Sequence, residues 1–79
     1  MKRRLYRPRP ATVQVGPDGV PTLVGKADVD GVREEWLVED RWWTDAPVRR
    51  RYFDVVLESG QHTVVFHDEE RGGWFTQRA

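Results

Sequence analysis

The fold of this chain is decided by one stretch, WWTDAPVRRRYFDVVLESGQHTVVFHDEERGGW, at residues 42–74. Aromatic, arginine and β-branched residues alternate there in short runs, and glycine-containing turns such as Ser59-Gly60 separate the runs. Such runs are typical of antiparallel strands, because β-branched and aromatic side chains pack well on a pleated surface. The stretch therefore predicts a small β-sheet domain.

The length and composition restrict the class of protein. The chain has 79 residues, enough for one domain with one modest core. It has no cysteine, so the core depends on its four Trp, three Phe and two Tyr residues. No apolar run approaches the ~20 residues that span a bilayer, and no apolar signal region follows the basic start. We therefore expect a cytoplasmic protein without a membrane segment.

The net charge is zero at pH 7, but the charges are unevenly distributed. Residues 1–10 carry five basic side chains and no acidic one, and the remainder carries eight basic and 13 acidic residues. Pro8 and Pro10 favour an extended chain over a helix. We predict a flexible basic arm at 1–10 and one small β domain at 11–79. The basic side chains of the arm either bind phosphates or are simply solvated; they are Lys2, Arg3, Arg4, Arg7 and Arg9.

The sequence of the first half of the domain predicts one hairpin, followed by a loop and one further strand or short helix. Turn residues at 16–19 lie between two apolar runs, 12–15 and 20–24, and we expect Val13 and Val15 to share a face with Pro21 and Leu23. A polar loop is predicted over residues 25–31. Residues 32–39 fit either a strand or a short helix, and we favour the strand because no second helical turn of apolar positions follows.

The second hairpin contains Ser59-Gly60, and two registers are open. A two-residue loop pairs Phe53 with Phe66 and Val55 with Val64, which gathers apolar side chains on one face. A three-residue loop over 58–60 pairs Val55 with Thr63 and divides the apolar residues between both faces. We favour the first register, because a one-residue shift moves every side chain across the sheet.

The closing strand is predicted at residues 74–77, paired with residues 63–67. The fold class is therefore all-β, with five to six short antiparallel strands forming a small curled sheet or barrel behind the basic arm. An open sheet that forms a homodimer through its aromatic face is the competing architecture.

The residues that could carry out chemistry do not form a recognisable constellation. His62 and His67 are the only histidines, and on one strand they would face opposite ways about 16 Å apart. Ser59 is the only serine and has no histidine partner. The glycine of Asp28-Val29-Asp30-Gly31 stands at the wrong position for a calcium loop. We expect no enzyme activity, no metal site and no cofactor.

Two sets of residues are candidate binding surfaces. Arg49, Arg50 and Arg51 either pair with carboxylates such as Glu39, Asp40 or Glu69, or bind phosphates beside exposed rings. Alternation along a strand would place Arg49 and Arg51 on one side and Arg50 on the other. The second set is Trp42-Trp43. We expect Trp43 to be interfacial, and Trp36, Trp42 and Trp74 to pack in the core or at its rim.

These residues also carry a resemblance to a known family. Residues 36–78 resemble a small bacterial domain of unknown function that occurs as standalone proteins in high-GC bacteria. A similar pattern closes the C-terminal tail of the Y-family-polymerase-like accessory subunit of the bacterial mutasome (ImuB), which supports error-prone DNA synthesis. The matching elements are Val38–Trp43, Val48–Val55, Gly60, Val65–Asp68 and Gly73–Phe75.

The resemblance implies a role in DNA-damage tolerance as a protein-interaction module. The leading hypothesis is therefore a non-enzymatic module that binds the replication or translesion polymerase machinery. Its predicted contact residues are Trp42, Trp43, Arg49, Arg50 and Arg51. The alternative is a nucleic-acid-binding module that uses the basic arm and Arg49–Arg51 together with exposed aromatic rings.

Overall fold

A computed structural model describes residues 8–77, and all of its regular structure is β-strand. The prediction of an all-β domain is confirmed, with seven strands rather than five or six. The strands are β1 Arg9–Ala11, β2 Val13–Val15, β3 Pro21–Val24, β4 Ala27–Asp40, β5 Val48–Leu57, β6 His62–Asp68 and β7 Trp74–Gln77.

All neighbouring strands are antiparallel, and their order in the sheet is β1-β7-β6-β5-β4-β3-β2. The two edge strands, β1 and β2, are consecutive in the chain and are separated only by Thr12. The carbonyl of Thr12 accepts a hydrogen bond of 2.7 Å from the Gly25 amide. This connection brings both ends of the sheet together, so the sheet curls into a nearly closed barrel.

The inner face of the sheet carries the core. Phe53, Val55 and Val65 are fully buried there, and Val24 of β3 completes the cluster. Phe53 and Val65 are direct cross-strand partners, so their side chains lie on the same face. The cluster and the residues packed around it come from every strand except β1. The six surrounding residues are partly buried: Val13, Val20, Val29, Val32, Leu57 and Trp74.

The outer face of the sheet carries a second aromatic layer. Trp36, Tyr52, Phe66 and Phe75 stand on four adjacent strands, and successive ring centroids are 5.2, 4.9 and 5.2 Å apart. Tyr52 is 8% exposed and Phe66 only 2% exposed, although both lie on the face opposite the core. Both faces of β5 and β6 therefore carry buried aromatic or aliphatic side chains.

Strand β4 is the longest, and most of the predicted loop at 25–31 belongs to it. Two irregularities, between Val29 and Gly31 and between Val32 and Glu34, let the strand bend while it stays paired with β5. The favoured strand over residues 32–39 is confirmed, and the predicted loop is reduced to a turn at Gly25-Lys26. Beyond Asp28, no described strand pairs with the second edge of β4.

The favoured register of the second hairpin is wrong, and the alternative is observed. Phe53 pairs with Val65, and Val55 pairs with Thr63. The Leu57 amide donates a 2.9 Å hydrogen bond to the Gln61 carbonyl, which closes a three-residue loop over 58–60. Gly60 has a φ of 88°, a left-handed conformation that favours glycine.

The remaining strand predictions are confirmed with two adjustments. The first hairpin forms, but an irregularity at Gln14/Val15 pairs Leu23 with Gln14, so Leu23 does not share a face with Val13. The closing strand β7 pairs with Val64–His67 as expected. Within the predicted arm, Arg9 and Pro10 belong to β1, which pairs with β7, whereas Lys2, Arg3, Arg4 and Arg7 lie outside the described residues.

Candidate functional site

The candidate site is the hairpin tip, residues 41–47, which connects β4 to β5. The Thr44 amide donates a 2.9 Å hydrogen bond to the Arg41 carbonyl, and the Thr44 hydroxyl donates a second one of 2.8 Å. Trp42 and Trp43 occupy the two central positions of the β-turn that these bonds close. These hydrogen bonds fix the backbone of the turn that carries both indoles.

The backbone at the start of the turn is strained. Arg41 is the one described non-glycine residue with a positive φ, at 54°. Such a conformation costs a bulky side chain on the order of 1–2 kcal/mol. A 2.8 Å hydrogen bond from the Arg41 amide to the Asp40 carboxylate helps to hold it. The tip is therefore a locally specified structure and not a loose loop.

Both tryptophans of the tip are largely exposed. Trp42 is 75% exposed and Trp43 66%, and their ring centroids are 5.4 Å apart at an interplanar angle of 89°. The prediction that Trp42 packs in the core or rim is wrong, because the chain turns at this point. Trp74 packs against the core as predicted, and Trp36 stacks on Tyr52 with 37% of its surface exposed.

The outer arginines of the triplet are engaged with carboxylates. Arg49 Nε lies 3.0 Å from Glu39 Oε2, and Arg51 Nε donates a 2.7 Å hydrogen bond to Glu35 Oε2. Glu39 is one of the predicted partners, and Glu35 is not. Because each positive charge has a negative partner, this surface has little net attraction for phosphates.

The central arginine points to the other face, as alternation predicts. The Arg50 guanidinium lies 4.6 Å from the centroid of the Phe66 ring and covers the outer aromatic layer. Its Nε is buried and has no hydrogen-bond partner among the described residues, while its terminal nitrogen approaches the Tyr52 hydroxyl at 3.5 Å. Arg50 is therefore mainly a packing residue. The structure does not bring it together with the tip tryptophans.

Each histidine lines a separate surface cavity beside one carboxylate. A cavity of about 440 Å³ includes His62, whose Nδ1 lies 3.8 Å from Asp54 Oδ1 and 3.3 Å from an Arg33 nitrogen. A cavity of about 210 Å³ includes His67, whose Nδ1 lies 2.5 Å from Glu69 Oε2. The residues on either side of this histidine–glutamate pair are Val15, Gly19, Arg51 and Trp74.

Four features of this surface are not among the predicted ones. The His67–Glu69 contact has a visible signal, because Glu69 directly follows β6 and residues two apart in extended backbone share a face. The Arg51–Glu35 pair and the Trp36–Tyr52 stack have none, since both depend on the register of β4 against β5, which the connection over residues 41–47 sets. The left-handed backbone of Arg41 also has no signal in the sequence, because arginine rarely adopts that conformation.

An acidic cluster at the opposite end of β4 gives a pH-dependent prediction. A hydrogen bond that the protonated Glu58 carboxyl donates to Asp28, together with the charges of Asp28 and Asp30, raises the pKa of Glu58 above its ordinary value of 4.5. The folded state therefore binds this proton more tightly than the unfolded state, so stability rises as the pH falls through the folded pKa. We expect Glu58→Gln to raise Tm at pH 7 and to have little effect at pH 4.

Thermal unfolding by circular dichroism at both pH values checks this prediction, with Glu70→Gln, a change in an exposed turn, as the control. A Tm of Glu58→Gln equal to that of the wild type at pH 7 would show that the charges of Asp28 and Asp30 do not destabilise the ionised Glu58.

Neither metal coordination nor a membrane-spanning helix is evident in residues 8–77. No group of three or more His, Cys, Asp or Glu side chains in that range is placed to hold a metal ion. The same range contains no helix that could span a membrane. Comparison with known proteins found no matching family model, no similar curated protein and no similar solved structure.

Proposed function

We propose that this protein is a non-enzymatic interaction module that binds a protein partner through the hairpin tip. The observation that carries the proposal is the exposure of Trp42 and Trp43, 75% and 66%, on a hydrogen-bonded turn. A domain of this size has few apolar residues to spare, and its other tryptophans contribute to packing. Tryptophan is a common energetic anchor of protein interfaces.

The tip offers enough apolar surface for a specific contact. Trp42 and Trp43 are 75% and 66% exposed, which leaves about 280 Å² to cover at roughly 200 Å² per side chain. Covering this area gives on the order of 7 kcal/mol of gross stabilisation at ~25 cal/mol/Å². Since hydrogen bonds already fix the backbone of the turn, little backbone entropy is lost on binding. The tip therefore has the properties of a preformed anchor.

The proposed partner belongs to the replication or translesion polymerase machinery. This part of the proposal rests on the resemblance of residues 36–78 to the mutasome-associated domain. Direct nucleic-acid binding is less well supported, because Glu39 and Glu35 neutralise Arg49 and Arg51. A titration with single-stranded DNA at low salt, followed by fluorescence anisotropy, tests that alternative; binding tighter than ~100 μM would favour it.

The test of the proposed function is a pull-down from DNA-damaged cells of a high-GC bacterium. We expect the wild type to capture polymerase subunits and the Trp42→Ala/Trp43→Ala variant to lose at least ~100-fold in affinity, as for two hot-spot residues. Leu37→Ala is the matched control, since Leu37 is 50% exposed on the same hairpin but lies outside the tip.

Two outcomes would contradict the proposal in different ways. Equal capture by the wild type and the double variant would remove the tip from the contact. Capture of no polymerase subunit by the wild type would remove the link to DNA-damage tolerance. Urea unfolding of all three proteins confirms that folding is unaffected, because surface substitutions change stability by only about 0.5 kcal/mol.

A further inference from the structure

We infer that the corner between Trp42 and Trp43 is a receptor for a cationic side chain, a lysine ammonium or an arginine guanidinium of the partner. This inference rests on the proposed function, because it names the chemistry of the group that the tip would bind. It concerns the recognition of one side chain, whereas the proposed function concerns the surface as a whole.

The geometry of the two rings supports a cation site. The indole planes stand at 89° with centroids 5.4 Å apart, so they form two walls of an open corner. A cation placed in such a corner approaches the π-face of one ring while it stays close to the other. Indole is the aromatic side chain that attracts cations most strongly, and aromatic cages for methylated lysine use the same principle.

The charges near the corner also favour a cation. Asp40 and Asp45 flank the two tryptophans, against the single positive charge of Arg41, and none of the three takes part in an ion pair with a described residue. The Asp40 carboxylate is held in place by the Arg41 amide. Over residues 8–77 the balance is eight basic against 13 acidic residues, or −5. A basic partner surface would therefore be attracted to this one.

The corner is not filled by the protein's own cations. Two guanidinium–ring contacts occur among residues 8–77: Arg50 over Phe66 at 4.6 Å and Arg51 over Phe53 at 5.1 Å. Neither involves a ring of the tip. Among the described residues, arginines thus cover the rings of Phe53 and Phe66, and no guanidinium lies over Trp42 or Trp43.

The experiment is an NMR titration with short capped peptides, Gly-Gly-X-Gly-Gly, followed through the indole N–H resonances of Trp42 and Trp43. X is arginine, lysine, trimethyl-lysine or citrulline, the last being an uncharged analogue of arginine. We expect the three cationic peptides to shift both resonances and citrulline to bind at least ~5-fold more weakly. Binding of the cationic peptides should also weaken as the salt concentration is raised, because the flanking carboxylates are exposed.

Variants separate the two sources of attraction. Trp42→Ala or Trp43→Ala should abolish the shift of the remaining indole. Asp40→Asn/Asp45→Asn should weaken binding of arginine without changing that of citrulline. The first of these changes keeps a side-chain oxygen that can still accept the hydrogen bond from the Arg41 amide, so the turn is preserved. Leu37→Ala should bind like the wild type.

The outcomes distinguish this inference from the proposed function. Equal affinity for the arginine and citrulline peptides, or no shift with any cationic peptide, would overturn the cation site. If the pull-down still depended on both tryptophans, the interaction module would stand and its contact would be apolar. If cationic peptides bound and no polymerase subunit were captured, the cation site would be supported and the proposed partner would be contradicted.

Discussion

Phe53→Ala is expected to destabilise the protein by about 3–5 kcal/mol, the usual cost of removing a buried phenyl ring. Phe53 is fully buried, its ring lies 5.7 Å from that of Trp74, and the Arg51 guanidinium covers it at 5.1 Å. Little of this cavity can be refilled, since the surrounding residues are held by cross-strand pairing. For a domain of 79 residues, this loss approaches the whole free energy of unfolding.

Urea unfolding followed by far-ultraviolet circular dichroism measures the loss. Trp43→Ala is the matched control, because it also removes a large aromatic side chain but from a site that is 66% exposed. We expect this control to stay within about 0.5 kcal/mol of the wild type. A Phe53→Ala variant that unfolds at the same urea concentration as the control would mean that the inner face is not the core.

Phe66→Ala is expected to cost about 3 kcal/mol, although Phe66 lies on the outer face of the sheet. In a barrel with a polar exterior, such a change would cost little. Here the ring is 2% exposed and lies between Tyr52 at 4.9 Å and Phe75 at 5.2 Å, with the Arg50 guanidinium above it. Its removal would open a cavity and expose the neighbouring rings.

The same unfolding assay checks this prediction with a graded pair of variants. Phe66→Leu keeps most of the apolar volume and should cost less than ~1.5 kcal/mol. A loss from Phe66→Ala no greater than that from Trp43→Ala would show that the outer layer contributes nothing to stability. Comparable losses from Phe53→Ala and Phe66→Ala would establish that the sheet is stabilised on both faces.

The comparison of sequence and structure is clearest for the second hairpin. If only one face of the sheet were buried, the register that gathers the apolar residues on that face would be favoured. The structure buries Phe53 and Val65 on one face and Tyr52 and Phe66 on the other. With both faces apolar, a shift by one residue exchanges one apolar set for the other. The hydrophobic pattern therefore carried no information about the register.

The candidate site was predictable in its residues but not in its arrangement. Alternation correctly separated Arg50 from Arg49 and Arg51, because that follows from the geometry of any strand. Which carboxylate pairs with which arginine could not be predicted, since the connection over residues 41–47 sets the register of β4 against β5. The exposure of Trp42 likewise depends on a turn that begins with a left-handed arginine.

The sequence by itself determined the class of fold, the position of most strands and the faces of the arginines. These properties follow from local rules: the two-residue period of a strand, the preference of aromatic and β-branched residues for sheets, and the turn residues. Only the tertiary structure decided the register of β5 and β6, the bends of β4 and the near closure of the sheet. These depend on which distant side chains pack together. Because both faces of this sheet are apolar, the hydrophobic pattern is compatible with more than one strand register.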